Sequence, residues 1–459
     1  MNPNIILIMA DDLGYGDLGC YGATKIPTPN IDRIASEGMC FNDAHASSSL
    51  CTPSRYSVLT GRYCWRSLLN KGVLWGFSPP LIEQDRLTVA SLLKSHEYRT
   101  ASIGKWHLGL NWTTIDGSEP DPIGNGRNID YTAPVTGGPQ GLGFDYSFNI
   151  SGSLDMAPYC FIENGRVTAL PTVEKDPYNP QQRPGLMPAD WQDEEVDVTF
   201  AHKAETWIKE CAQEERPFFL YLTPSTPHRP CMPPNFIKGT SEAGPRGDMV
   251  ALFDWLVGQI DDVLHHQNLT DNTLLIITSD NGAQTTDYHG RSWDHKANGD
   301  LRGQKADIWD GGHREPFIVR WPGQVEAGSI SNQLVCLGDL MATCAAIIGT
   351  ELPDNAGSDS VDILPIMKGC EKPMRDTLVH HSGDGIFSIR HGPWKLIEGL
   401  GSGGFSKPAR LEPQPDGPIG QLYNIAEDLG EQHNRWKDHP NVVTELSKLL
   451  AEIVAAPDL

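Results

Sequence analysis

Ile5-Ile6-Leu7-Ile8-Met9-Ala10-Asp11-Asp12 decides the fold. An apolar run with no polar position to turn toward solvent reads as a strand covered on both faces, as parallel strands of an α/β sheet are. The two carboxylates then stand where the strand hands over to a loop. Similar runs lie at 100–103, 218–222, 274–278 and 317–320. Helical patterns fall between them at 29–37, 88–95, 196–213 and 249–265, with Pro29 suited to a first helical turn and Gly38 to a stop. This alternation predicts an α/β protein with a large, mixed, mostly parallel sheet sandwiched by helices. Beyond about residue 365 the pattern shortens to strands at 378–381, 386–390 and 394–397 and a helix at 442–454. The expected division is therefore a main α/β unit, 1–365, and a C-terminal subdomain, 366–459, with a small antiparallel sheet and a terminal helix. Two polar stretches, 111–144 and 283–301, read as long loops, where function commonly resides.

Composition narrows the function classes. The 459 residues are 39% hydrophobic, enough for a large core, and no run approaches the roughly 20 apolar residues of a membrane-spanning helix. Lys and Arg number 36 against 59 Asp and Glu, a net charge of −23. That field repels nucleic acid and anionic membranes, so neither is an expected partner. An anionic substrate would need local cations or a metal to reverse the field. Ten cysteines without a C-x-x-C pair or a Cys/His cluster at zinc spacing argue against a zinc site or a disulfide scaffold. They lean toward a reducing compartment. The N-terminal apolar run lacks a basic stretch before it and reads as a strand. The expected location is cytoplasmic as the sequence stands, and periplasmic or secreted if a signal peptide has been removed.

Chemistry collects at the strand ends. Asp11-Asp12 follow the first strand, Gly104-Lys105-Trp106-His107 the second, Pro227-His228 the third and Asp280-Asn281-Gly282 the fourth. Ligands of open α/β sheets bind outside the carboxyl ends of the strands, so these groups can converge on one crevice. Asp11, Asp12, Asp280 and Asn281 form a hard-oxygen set, which suits Ca²⁺ or Mg²⁺. Taken singly, Asp-Asp also caps turns, Asp-Asn-Gly also makes tight turns, and Lys105 and His107 also fit a solvated lysine and a structural histidine.

Residues 51–62 read Cys51-Thr52-Pro53-Ser54-Arg55-Tyr56-Ser57-Val58-Leu59-Thr60-Gly61-Arg62. This resembles, position for position, the C-x-P-S-R-x-x-x-L-T-G-R signature of the type I, formylglycine-dependent sulfatases of the alkaline phosphatase superfamily. The resemblance extends over most of the chain, through 104–109, Pro227-His228, 279–282, 301–305, Gly311-Gly312-His313-Arg314-Glu315-Pro316 and Gln421-Leu422-Tyr423-Asn424. It implies an alkaline phosphatase-like fold, with 1–365 as the catalytic domain, and hydrolysis of a sulfate monoester. Cys51 would be converted to formylglycine by a formylglycine-generating or anaerobic sulfatase-maturing enzyme. The hydrate of that aldehyde supplies a nucleophilic hydroxyl, and its second hydroxyl gives an internal way to expel sulfate that serine lacks.

The same resemblance implies that Asp11, Asp12, Asp280, Asn281 and the modified Cys51 bind one divalent cation, Ca²⁺ with Mg²⁺ as the alternative. Pro53 favours a helix beginning beside Cys51, so that the helix dipole faces an anionic substrate. Arg55 would bond the hydrate and the metal ligands, or serve as a structural ion pair with an aspartate. Lys105, His228 and Lys305 would clamp the sulfate and its bridging oxygen. His107 would be the base that releases sulfate, and His228 or Lys305 would protonate the leaving alcohol. Ser153, in Ser-Leu-Asp-Met-Ala-Pro, matches the family serine that hydrogen-bonds sulfate and also reads as a plain loop serine. Ala306 and Asp310 depart from the usual Gly and Glu. The expected substrate is a small sulfated saccharide, with aryl sulfates as assay substrates. Trp112, Tyr131, Trp293 and Trp309 could stack on the sugar or pack their loops. The alternatives are a phosphonate monoester or phosphodiester hydrolase and a catalytically silent binding protein.

Overall fold

In the computed structural model, which describes residues 2–287 and 289–456, the opening apolar run forms β1 (Asn4–Ala10) inside a ten-stranded sheet. The other strands are β2 (Met39–Phe41), β3 (Arg99–Lys105), β4 (Tyr146–Ile150), β5 (Ile162–Glu163), β6 (Arg166–Val167), β7 (Phe218–Thr223), β8 (Thr273–Ser279), β9 (Phe317–Arg320) and β10 (Ser329–Ser331). Their order is β10-β2-β9-β8-β1-β7-β3-β4-β5-β6. Strands β8, β1, β7, β3 and β4 run parallel, so their carboxyl ends share one edge. Strand β9 is antiparallel to β8 and β2, and β5 is antiparallel to β4.

The two-sided burial read from the sequence follows from the period of the strand. Ile5, Leu7 and Met9 enter a core completed by α2 (Cys51–Thr60), α3 (Val89–Lys94) and α6 (Leu340–Ile348). Ile6, Ile8 and Ala10 enter the opposite core, against α1 (Pro29–Ser36), α4 (Val196–Cys211) and α5 (Gly244–His266). Alternate residues on opposite faces thus hold helices on both sides.

Several details differ from the sequence reading. Helix α5 starts at Gly244 rather than 249, with Pro245 in its first turn. Gly38 is not a left-handed helix stop, because α1 ends at Glu37 in right-handed geometry. Glycine is needed at 38 because a Cβ there would lie 2.2 Å from the Val319 carbonyl oxygen of β9. The stretch 111–144 is pinned by bridges between Asn111 and Thr136 and between Thr114 and Ile129. In the loop 283–301, Tyr288 lies outside the described residues.

The C-terminal sheet has four antiparallel strands, β11 (Thr377–His381), β12 (Phe387–His391), β13 (Trp394–Ile397) and β14 (Gln421–Asn424). The last was not among the expected strands. Helix α7 (Pro440–Ala455) lays Leu446 and Leu450 against Leu378, Ile389, Leu396 and Leu422. The Lys395 ammonium of β13 ties this sheet to the larger unit, 2.7 Å from Asp310 and 2.9 Å from Glu431. A short helix, Leu364–Met367, spans the expected boundary and packs Ile366 and Met367 in the core of α2 and α6. Among the described residues, no helix is long and apolar enough to cross a membrane.

Candidate active site

The shared carboxyl edge brings the predicted residues together. Asp11 and Asp12 follow β1, Asp280 and Asn281 follow β8, and His228 follows β7. Lys105 ends β3, with His107 just beyond; Ser153 follows β4, and Cys51 is the first residue of α2. Lys305 arrives from the loop before β9. None of these, nor Arg55, is more than 6% exposed. Local backbone is bent to permit this. Asp12 and His107 adopt positive φ of 68° and 55°, and Gly104, at φ 119°, sits where a Cβ would lie 2.1 Å from the Thr223 carbonyl oxygen.

Three cations meet three carboxylates here. Lys105 Nζ is 2.7 Å from Asp11 Oδ2, and Lys305 Nζ is 2.7 Å from Asp12 Oδ1. Arg55 donates from Nε and Nη2 to Asp280 Oδ2 at 2.9 and 2.7 Å, and from Nη1 to the Lys105 carbonyl at 3.0 Å. Its Nη2 is also 3.8 Å from Asp11 Oδ1, so the structural ion-pair role expected of it is present. Asn281 Nδ2 donates to Asp12 Oδ1 at 2.8 Å. Burial pushes the Asp11 and Asp12 carboxyls up, but the neighbouring cations, chiefly Lys105 for Asp11 and Lys305 for Asp12, hold both below the usual range. Asp280 differs: burial outweighs Arg55, Asp11 and Cys51 add to it, and its pKa is pushed up to about 8.

The donor set fits a hard divalent cation. Asp11 Oδ1 and Asn281 Oδ1 are buried acceptors without a hydrogen-bond partner. Ligand atoms of Asp11, Cys51 and Asp280 lie within 4.8 Å of one another, as do those of Asp11, Asp12 and His228. Orphaned buried oxygens are costly until a donor or an ion meets them. Because the three carboxylates are already matched by Lys105, Lys305 and Arg55, a divalent ion would leave the site positive. That local excess answers the net charge of −23.

Both site histidines have a fixed tautomer. His107 Nε2–H donates to the Leu74 carbonyl at 2.8 Å, which leaves Nδ1 as a buried lone pair without a partner. His228 Nδ1–H donates to the Arg229 carbonyl at 2.7 Å, leaving Nε2 as the acceptor. Burial, with Lys105 and Arg55, holds His107 well below the usual imidazole range. Burial and Lys305 bring His228 down to about 4. Burial opposes the Lys305 ammonium, but Asp12 and its neighbours keep its pKa above the ordinary value.

A cleft of about 420 Å³ opens over Cys51, His107, Ser153, His228 and Lys305. The Ser153 hydroxyl has no partner. The cleft wall also contains Trp75, Asp155, Arg183, Arg229, Asp384 and Phe405, which the sequence reading did not single out. Only Asp155 carried a signal, two residues beyond Ser153. None of the four aromatics expected at the sugar lines this cleft. Trp112 and Tyr131 are buried in edge contact with each other, and Trp309 lies under the Arg302 guanidinium at 3.7 Å. Trp293 packs beside Arg291 and Gly244. The departure at Ala306 has a visible cost, since it holds a left-handed φ of 73° where glycine is at ease. Asp310 keeps its ion pair with Lys395.

A cleft floored by hard-oxygen ligands and ringed by buried cations suits an ester of an anionic acid. Comparison with known proteins narrows that class. The family described as Sulfatase matches residues 3–350. The chain is 36% identical to an N-acetylgalactosamine-6-O-sulfatase of Bacteroides thetaiotaomicron, over 98% of this chain and 93% of that one. It is 32% identical to arylsulfatase A of Bos taurus, over 98% and 87%. A solved structure from work on the metabolism of multiple glycosaminoglycans by Bacteroides thetaiotaomicron superposes with a TM-score of 0.87 at 34% identity, over 99% of this chain and all of that one. The chain belongs to the sulfatase family, with the fold expected of it, and is a hydrolase of sulfuric esters.

Proposed function

We propose that the chain removes sulfate from a sulfated saccharide, a 6-O-sulfated N-acetylhexosamine end, using residue 51 as formylglycine and one Ca²⁺. The observation that carries the reading is the meeting of Cys51 with Asp11 and Asp280 at the head of α2. The amino-sugar choice rests on the names of relatives, N-acetylgalactosamine-6-O-sulfatase and, at 31% identity, N-acetylgalactosamine-6-sulfatase of Canis lupus familiaris. A formylglycine-generating or anaerobic sulfatase-maturing enzyme is the implied partner. The cysteines, free in the structure, lean toward a reducing compartment such as the cytoplasm, and a periplasmic or secreted location is the alternative.

In this reading Asp11, Asp12, Asp280, Asn281 and residue 51 would hold the ion, which when bound would polarise a sulfate oxygen and steady the nucleophile. Arg55 fixes Asp280 and the end of β3. Lys105 and Lys305 exchange part of their carboxylate contact for the sulfate oxygens, and Ser153 donates a further hydrogen bond. His107 Nδ1, with its lone pair unspent, accepts a proton from a hydroxyl of residue 51. His228 or Lys305, the two groups beside Asp12, protonates the bridging oxygen of the leaving alcohol.

The test begins with mass spectrometry for formylglycine at residue 51. Turnover of N-acetylgalactosamine 6-sulfate, 4-nitrophenyl sulfate and phenyl phenylphosphonate is then compared. Hydrolysis of both sulfates that is lost in Cys51→Ala, with folding retained, is expected. A large phosphonate preference would move the chain to the alternative hydrolase reading. Undiminished activity of Cys51→Ala would remove the nucleophile assignment.

A further inference from the structure

Asp155 is 3% exposed and sits in the wall of the cleft. Its Oδ2 faces Arg183 Nη1 at 3.5 Å and Arg229 Nε at 3.4 Å, at ion-pair distance. Its Oδ1 has no hydrogen-bond partner, and neither has the buried Nε of Arg229. The wall therefore holds an unmet acceptor on Asp155 and an unmet donor on an arginine that faces it. A hydroxyl both donates and accepts, so one group can satisfy the two. An aryl or sterol face can satisfy neither.

Asp155 offsets part of the charge of Arg183 and Arg229, while Asp384, elsewhere in the cleft lining, faces Arg410 Nε at 3.6 Å. A polyhydroxyl ring finds in Asp155 Oδ1 and Arg229 Nε an acceptor and a donor to meet. Arg183 is stacked on Trp75, its Cζ 4.4 Å from the ring centroid, which holds the guanidinium against the cleft.

From this we infer that Asp155, held by Arg183 and Arg229, is a specificity-determining residue that accepts a hydrogen bond from a ring hydroxyl of the sugar bearing the sulfate. The inference rests on the saccharide reading above and names how that sugar is recognised. It is tested with Asp155→Asn and the wild-type enzyme, formylglycine content matched by mass spectrometry. The readout is the ratio of kcat/KM on N-acetylgalactosamine 6-sulfate to kcat/KM on 4-nitrophenyl sulfate, which has no hydroxyl. The ratio is expected to fall at least tenfold in the variant. A smaller fall, including a parallel loss on both substrates, overturns the inference.

Should the variant not fold, the wild-type enzyme is measured on the 3-deoxy and 4-deoxy forms of the sugar sulfate. One of them is expected to lose at least tenfold in kcat/KM, and a smaller loss on both overturns the inference. Wild-type turnover of the aryl sulfate without the sugar sulfate would sink the saccharide reading and this inference with it. Turnover of both with no loss on deoxygenation would sink the inference alone.

Discussion

Replacing Arg55 should separate the electrostatics of the metal cradle from the rest of the fold. Arg55 is fully buried and spends three N–H groups, two on Asp280 and one on the Lys105 carbonyl. Removing one partner of a buried ion pair costs about 3–5 kcal/mol. Here the lower end applies, because burial already holds the Asp280 carboxyl at about 8, so little uncompensated charge is left at neutral pH once the guanidinium is gone. Arg55→Met should thus lower stability by about 3 kcal/mol at neutral pH in the presence of a chelator. Arg55→Lys keeps the charge but not the fork, and should lose about 2 kcal/mol, the worth of one charge-assisted hydrogen bond. Arg55 lowers the Asp280 pKa, so in the Met variant Asp280 gives up its proton to a metal less readily, and Ca²⁺ affinity should weaken by about tenfold or more. Urea unfolding in EDTA gives the first quantity, and calorimetric titration of the metal-free protein with Ca²⁺ the second. A Met variant within 1 kcal/mol of wild type and with unchanged Ca²⁺ affinity would refute the coupling between Arg55 and Asp280.

Three other outcomes are expected. Chelation should abolish sulfate ester hydrolysis, with recovery on addition of Ca²⁺ or Mg²⁺; recovery by Zn²⁺ alone would contradict a hard-oxygen site. Ala306→Gly should raise stability by about 1 kcal/mol in urea unfolding, since it relieves a left-handed φ of 73°; a loss of stability would show that the loop does not carry that strain. Burial raises Asp197 to about 7, although Ser225 donates to it from N and Oγ at 2.7 and 2.9 Å. The folded state then binds more protons than the unfolded state between about pH 4 and 7, so this residue's stabilisation is complete below pH 4 and lost as pH rises through 7. Asp197→Asn should accordingly gain on the order of 2 kcal/mol over wild type at pH 8, with the difference vanishing near pH 4. A difference of the opposite sign in pH-dependent urea unfolding would count against it.

Legibility in the sequence tracked the range of the interaction involved. Strand β1 was readable because its burial is uniform, and β9 was readable as a strand but not as antiparallel, since direction depends on which neighbour it meets. Strand β14 appeared only as the motif Gln421-Leu422-Tyr423-Asn424, four residues being too few for a periodic signal. The motif around Cys51 and the carboxylates after β1 and β8 are contiguous in the chain and could be found there. Trp75, Arg183 and Phe405 belong to loops with no local signature, and they join the cleft only through packing.

The amino-acid sequence by itself determined the α/β class, the strand-end placement of Asp11, Asp12, Asp280 and Asn281, and the family through residues 51–62, because each depends on residues adjacent along the chain. Only the tertiary structure decided which lysine faces which carboxylate, which nitrogen of His107 and His228 is left unprotonated, and which aromatics reach the cleft. Those outcomes are set by distances between segments hundreds of residues apart, as from Asp12 to Lys305, and a linear pattern contains no record of them.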